Sequence, residues 1–335
     1  MKLSALDQSL SVAGRGQDHA IRDTLDLALH CEAHGYHRFW VSEHHGLPTI
    51  VGSAPEILMA AIAARTSRIR VGSAGVMLPH YSALKVAEQF RVLDALAPGR
   101  IDLGVGRAPG SDGRTARALN PNAASAADAF PQQVQELQAW TRGQVVGGIH
   151  AHPEPPPGSG LERAPEVWML GSSDYGAQLA AYLGLPYAFA YFFMDGQGVE
   201  QALGLYRELY RPSDRHPKPH PTICVWALVA ETDEAAQHHA LSRDRWRLDR
   251  QMGRLGPLRW PDEIASAGFT EAELAHLAPM RRKAFVGTPA RVGAQLRALA
   301  AELQLEELVV NTWACDVDVR RRSYELLARE LGASA

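Results

Sequence analysis

Phe39-Trp40-Val41-Ser42-Glu43-His44-His45-Gly46 decides how the rest of the chain is read. Three bulky apolar residues break off into Ser-Glu-His-His. That is the pattern of a parallel strand buried on both faces, whose polar C-terminal end opens on the ligand mouth of an α/β fold. Working outward, strand-length apolar runs alternate with helical periodicity, the signature of repeated βα units. Residues 3–6 form a first strand. Residues 18–34 form a helix with Ile21, Leu25, Ala28 and Leu29 on one face, stopped by Gly35. Further strands are expected at 39–42, 69–77, 101–105, 167–170, 187–193, 223–230 and 308–312. Eight parallel strands predict a single (β/α)8 TIM barrel over residues 1–335. A helical insertion at about 231–284, broken by Gly256-Pro257 and Pro261, falls between strands seven and eight. An open doubly wound sheet is the alternative, and the first βα turn lacks its G-x-G-x-x-G fingerprint.

Composition narrows the function classes. A hydrophobic content of 46%, a charged content of 21% and a formal net charge of -3 describe an ordinary folded protein without the basic footprint of a nucleic-acid or anionic-membrane binder. No apolar run is long enough to span a bilayer, and the N-terminus does not read as a signal peptide. The 3 cysteines, Cys31, Cys224 and Cys315, are too few and too scattered for a disulfide framework, so a reducing cytoplasm is expected. Despite 14 histidines there is no H-E-x-x-H or Cys/His spacing, and neighbouring strand residues His44 and His45 point apart, so no metal is expected. The G-x-S-x-G elbow of serine hydrolases and the P-loop are both absent.

In a barrel, chemistry sits at the C-terminal strand ends. Those ends offer Asp7; Glu43, His44 and His45; Ala74, Gly75 and His80; Gly106, Arg107 and Gly110-Ser111-Asp112; Gly171-Ser172-Ser173; and Asn311, Thr312 and Trp313. Gly171-Ser172-Ser173 precedes a helix, so its hydroxyls and amides suit a phosphate at the helix N-terminus, with Arg107 one strand away to close the pocket. The plainer reading makes the serines N-caps and Arg107 a surface ion pair. Gly72-Ser73-Ala74-Gly75 and Gly104-Val105-Gly106 withdraw side chains from two adjacent strands, either for a planar ligand or because the barrel interior is tight there. Trp40, Trp168 and the Tyr191-Phe192-Phe193 cluster read mainly as core or insertion packing. The insertion and the loop at 147–165, crowded with Pro, Gly and His, are candidate lids.

Several of these segments together resemble one family. They include Trp40-Val41-Ser42-Glu43-His44-His45, Val71-Gly72-Ser73-Ala74-Gly75-Val76-Met77-Leu78-Pro79 and Pro98-Gly99-Arg100-Ile101-Asp102-Leu103-Gly104-Val105-Gly106-Arg107. Downstream, Gly171-Ser172-Ser173, Phe285-Val286-Gly287-Thr288-Pro289 and Val309-Val310-Asn311-Thr312-Trp313 continue the match. The chain is similar, nearly end to end, to the bacterial luciferase-like flavin-dependent monooxygenases.

The resemblance implies a TIM barrel that uses FMN, as reduced FMNH2, and O2 through a flavin C4a-peroxide to oxygenate a small organic substrate, with secondary metabolism as a setting. It further implies an NAD(P)H-dependent flavin reductase as supplier of FMNH2, and a homodimer. His44 matches the catalytic acid/base, a role suited to an imidazole whose ordinary pKa is about 6.5. Ala74-Gly75 matches a non-proline cis peptide under the flavin ring, and Arg107, Ser172 and Ser173 match the phosphate site. Leu6, Glu43, Gly106 and Gly171 complete the expected cofactor site, and His45, His80, Asn311 and Trp313 the substrate pocket. Luciferase proper has a reactive cysteine where this chain has Gly106 and an aromatic residue where it has Leu6, which argues against light emission. An F420-dependent oxidoreductase and a non-catalytic flavin-binding protein are the alternatives.

Overall fold

Side-chain alternation along each strand settles what the barrel axis sees. In the computed structural model, which describes residues 1–108 and 111–333, seven strands follow one another as parallel neighbours. They are β1 (Lys2–Asp7), β2 (Arg38–Val41), β3 (Arg70–Met77), β4 (Ile101–Gly106), β5 (Glu166–Gly171), β6 (Tyr187–Phe189) and β7 (Pro221–Val229). Among the described residues a three-residue strand β8 (Phe285–Gly287) pairs only with β7, and β9 (Glu307–Asn311) fits between β7 and β1. Pairing of β6 with β7 then closes an eight-stranded parallel barrel, with β8 as an annex. This is the (β/α)8 architecture expected from the alternating runs.

The crossovers carry α1 (Gln17–Ala33), α2 (Pro55–Arg65), α3 (Ala83–Leu96), α4 (Gly113–Leu119), α5 (Ala123–Ala126), α6 (Phe130–Thr141), α7 (Asp174–Leu183) and α8 (Val199–Glu208). After β7 come α9 (Asp233–Gln251), α10 (Pro261–Ala267) and α11 (Glu271–Arg282). Then β8 leads into α12 (Pro289–Glu302), and α13 (Val317–Leu331) follows β9. Helix ends follow local chemistry. Gly35 takes a positive φ of 74° just past α1, Pro55 opens α2, and the Asp316 carboxylate accepts from the amides of Asp318 and Val319 to start α13.

The strand expected at 187–193 is shorter. Pairing stops at Phe189, the Ala190 amide donates to Gly171 O, and Tyr191–Phe193 forms one 3-10 turn that carries Phe192 and Phe193 to the barrel mouth. A strand at the rim loses its neighbours there, so the chain turns.

The floor of the barrel is ionic. Arg38, at the start of β2, reaches Asp102 Oδ2 at 2.9 Å, Glu166 Oε2 at 2.8 Å and Glu307 Oε1 at 3.0 Å. Above it, Trp40 Nε1 donates to Asp102 at 2.9 Å and Trp168 Nε1 to Glu166 at 2.9 Å, and the two rings meet edge-on. Trp40 and Trp168 thus seal the charged layer from whatever lies above.

The insertion is stitched to the opposite, C-terminal end. The Leu258 amide donates to Ser11 O, the Ala13 amide to Leu258 O, Trp246 Nε1 to Thr49 Oγ1 and Trp260 Nε1 to Ala13 O. Those partners lie on the loops after β1 and β2, so α9 and the segment leading into α10 cover the mouth. The loop at 147–165 does not. As a helix-to-strand connection it enters β5 from the floor side, where Arg91 binds the carbonyls of Pro153 and Arg163 and Arg215 those of Ala164 and Pro165. Its composition identified a loop, but its polarity in the barrel excludes it as a lid. Gly110 lies outside the described residues, among which no helix is long and apolar enough to cross a membrane.

Candidate active site

Leu6, Trp40, Ala74, Gly106, Leu170, Ala188 and Cys224 all border one cavity of about 320 Å³ at the barrel mouth. Ten of the expected site residues meet there: Leu6, Glu43, His44, Ala74, Gly75, Gly106, Arg107, Gly171, Ser172 and Ser173. The Ala74–Gly75 peptide is cis. The small residues divide into two groups. A Cβ on Gly72 would lie 2.6 Å from Trp40 Cδ1, and one on Gly104 would strike Ser73 O, so those glycines serve interior packing. A Cβ on Gly106 would meet nothing within 4 Å, so its missing side chain leaves open space.

Glu43 is 2% exposed and ties β2 to the end of β3. The Met77 amide donates to its Oε2 at 3.1 Å, Tyr81 OH donates to its Oε1 at 2.6 Å, and His45 Nε2 lies 2.7 Å from the same oxygen. Burial first, and then the Glu43 carboxylate, push the Tyr81 phenol up, so it stays a donor. Glu43 thereby holds the segment just beyond the cis peptide.

His44 is half-buried, with Nδ1 3.2 Å from Ser42 Oγ and its amide donating to Gly52 O at 2.9 Å. Burial, then His45, then Arg250 push the imidazole down to about 4. The sequence had placed it near neutrality. In the fold it is uncharged at pH 7, a proton acceptor in waiting rather than a proton donor.

At the other end, Ser173 is the N-cap of α7, yet its side chain makes no capping bond. Neither serine hydroxyl has a partner among the described residues, and both serines are exposed. Arg107 forms no ion pair among those residues and stacks 4.1 Å from the Tyr175 ring centroid. Two unengaged hydroxyls, a helix N-terminus and an unpaired guanidinium fit a phosphate, and the bed of Ala74, Gly75 and Gly106 fits a flat ring.

His45 and His80 stand behind the wall, edge-on at 6.4 Å, with His80 buried beside Tyr81. Asn311 and Trp313 also do not border the cavity. Both donate to Gln8 Oε1, at 2.6 and 2.9 Å, and Gln8 does border it. Gln8 was missed, though period-two alternation from Leu6 points to it. Tyr175, Phe192, Phe193 and Cys224 were missed as lining residues too, and Trp40 both packs and lines. Burial raises the Cys224 thiol, so it serves as apolar wall.

The family model for luciferase-like monooxygenases matches residues 1–306. The chain belongs to that family. This luciferase-like monooxygenase is 39% identical over 323 residues to a luciferase-like monooxygenase of Escherichia coli, covering 96% of this chain and 95% of that one. It is 35% identical over 334 residues to the N-acetyl-S-alkylcysteine monooxygenase of Bacillus subtilis, covering 98% and 97% respectively. Among solved structures, apo-MsnO8 superposes with a TM-score of 0.89 at 35% identity, covering 99% of each chain. The family makes this luciferase-like monooxygenase a flavin-dependent enzyme, which sets aside the flavin-holding alternative.

Proposed function

We propose that the protein is a reduced-FMN- and O2-dependent monooxygenase of a small organic substrate, supplied with FMNH2 by a separate NAD(P)H-dependent reductase. The observation that carries this reading is that one apolar cavity joins a phosphate cradle, a bed of small residues and an uncharged imidazole. Ser172, Ser173, Arg107 and the first amides of α7 take the phosphate. Ala74, Gly75 and Gly106 would form the bed for the ring, and Glu43 holds the end of β3 in place. Reduced flavin, when bound, supplies the electrons that activate O2. His44 accepts and returns a proton at Nε2, the nitrogen that Ser42 does not engage. Trp40, Phe189 and Phe192 keep water out.

The name of the Bacillus subtilis relative makes S-alkylated cysteine derivatives the first substrates to screen. A homodimer is proposed through α2 and α3, whose Ile57, Val92 and Leu96 are exposed apolar side chains. The cytoplasm is the proposed compartment. Anaerobic titration with reduced FMN, reduced riboflavin and reduced F420, followed through tryptophan emission, tests the cofactor. Binding of FMN at least tenfold tighter than riboflavin is expected, with oxygen from 18O2 appearing in product during turnover. Binding of F420 alone would overturn the reading.

A further inference from the structure

Helix α9 crosses the mouth carrying Arg243 and Arg247 one turn apart, and the two are used differently. Arg247 grips both oxygens of Asp195, at 3.2 and 2.6 Å. Arg243 is 8% exposed and has no hydrogen bond or ion pair among the described residues, its guanidinium lying 3.9 Å from the Trp226 ring centroid. The acids that act on it are already engaged: Asp195 by Arg247, and Asp244 by Arg281 at 2.7 Å. Burial first, and then repulsion from Arg247, push the Arg243 guanidinium down to about 9. Trp226, the ring beneath it, is 5% exposed, and its Nε1 is buried without an acceptor. A buried cation and a buried indole N–H therefore share one contact, both of them donors and neither paired.

Neither side chain borders the cavity itself, but their place in the barrel sets them directly behind residues that do. On β7 the inward side chains are Thr222, Cys224 and Trp226. Cys224 borders the cavity, and Trp226 is one step nearer the mouth, level with Asn311, which reaches the cavity residue Gln8. Phe192 lines the cavity and packs against the apolar groups of both Cys224 and Trp226. Arg107 and the serines, at the ends of β4 and β5, provide for a phosphate, so the donors beside β7 are left for a second ligand.

We propose that Arg243, together with Trp226 Nε1, binds a carboxylate of the organic substrate, making this enzyme selective for small organic acids and Arg243 its specificity-determining residue. A carboxylate has only acceptors and a negative charge, which is the complement of these two donors. The assignment of this anion to substrate rests on the flavin-monooxygenase reading above, whereas the anion site itself does not.

The test is anaerobic calorimetric titration of the full chain, with and without reduced FMN, using matched pairs of one body: hydrocinnamate and hydrocinnamide, isocaproate and isocaproamide, N-acetylmethionine and its amide. At least one acid should bind tenfold or more tighter than its amide, and Arg243→Gln should abolish that preference while Arg243→Lys keeps part of it. FMN affinity should stay within twofold in both variants. Should wild type prefer none of the acids, or should Arg243→Gln keep the preference, the proposal is overturned. Loss of FMN affinity in Arg243→Gln overturns it also, by assigning the donors to the flavin phosphate. Failure of wild type to bind FMN would strike the cofactor reading alone, because the acid-to-amide ratio is measured without it.

Discussion

Replacing Arg38 by Met removes the one cation that joins three strand starts, and the consequence follows from what each carboxylate keeps. Asp102 retains Arg70; Glu166 retains Trp168 Nε1 at 2.9 Å and Arg70 at 3.5 Å. Glu307, with a fully buried side chain, retains the Ser4 hydroxyl at 2.5 Å and His220 at 3.8 Å. Breaking a buried ion pair by deleting one partner costs about 3–5 kcal/mol, because the remaining charge stays buried. With Glu307 the main loser, the cost is on the order of 4 kcal/mol, which lowers Tm by roughly 6 °C in a chain of this size. The pH dependence identifies the cause. Burial raises the Glu307 pKa, but Arg38, then His220 and Ser4, outweigh it and hold the group at about 2. A carboxylate depressed in the fold stabilises it above its ordinary pKa and loses that stabilisation as pH falls through the folded value. The gap between wild type and Arg38→Met should therefore be widest near pH 7 and close as pH drops below 4.5 toward 2. Denaturant unfolding across that range measures it. Arg38→Lys should not restore the lost stability, since one ammonium cannot span three carboxylates. A loss under about 1 kcal/mol, or a gap constant with pH, would refute the idea that the ionic floor is held by Arg38.

Three further outcomes are expected. His44→Ala should lower kcat by about 10²–10⁴-fold with reduced-FMN affinity within twofold; unchanged turnover would remove His44 from proton handling. Because His37, His44 and His216 are each pushed down to about 4, chiefly by burial, the unfolded chain binds more protons than the folded one between that value and 6.5. Stability should thus fall as pH drops from 6.5 to 4, and the wild-type slope should flatten in His44→Gln; an identical slope would contradict the shift at His44. Ser172→Ala/Ser173→Ala should weaken FMN binding about tenfold through two lost hydrogen bonds while leaving riboflavin binding alone; equal losses for both flavins would place the phosphate elsewhere.

The barrel and much of its mouth were legible because both follow from short-range rules. An apolar run that ends in polar residues makes a parallel strand, and in a closed barrel every such end delivers its residues to one rim. That is how Glu43, His44, Gly106, Arg107, Ser172 and Ser173 were found together although they come from the ends of three different strands. The rule that helix-to-strand loops lie at the floor was available too, and would have excluded the loop at 147–165 as a lid.

Other properties depended on partners that local pattern does not name. The state of His44 is set by burial with His45 and the distant Arg250. The placing of Asn311 and Trp313 behind Gln8 depends on how two strand ends converge on one amide oxygen. Arg243 has no ion-pair partner among the described residues, while Asp195 and Asp244, the acids that act on it, are taken by Arg247 and Arg281. Strand and helix patterns arise from residues near one another along the chain, so they can be read from it directly. Charge pairing and desolvation arise between residues that only folding brings together, so the chemistry of this site waited on its three-dimensional arrangement.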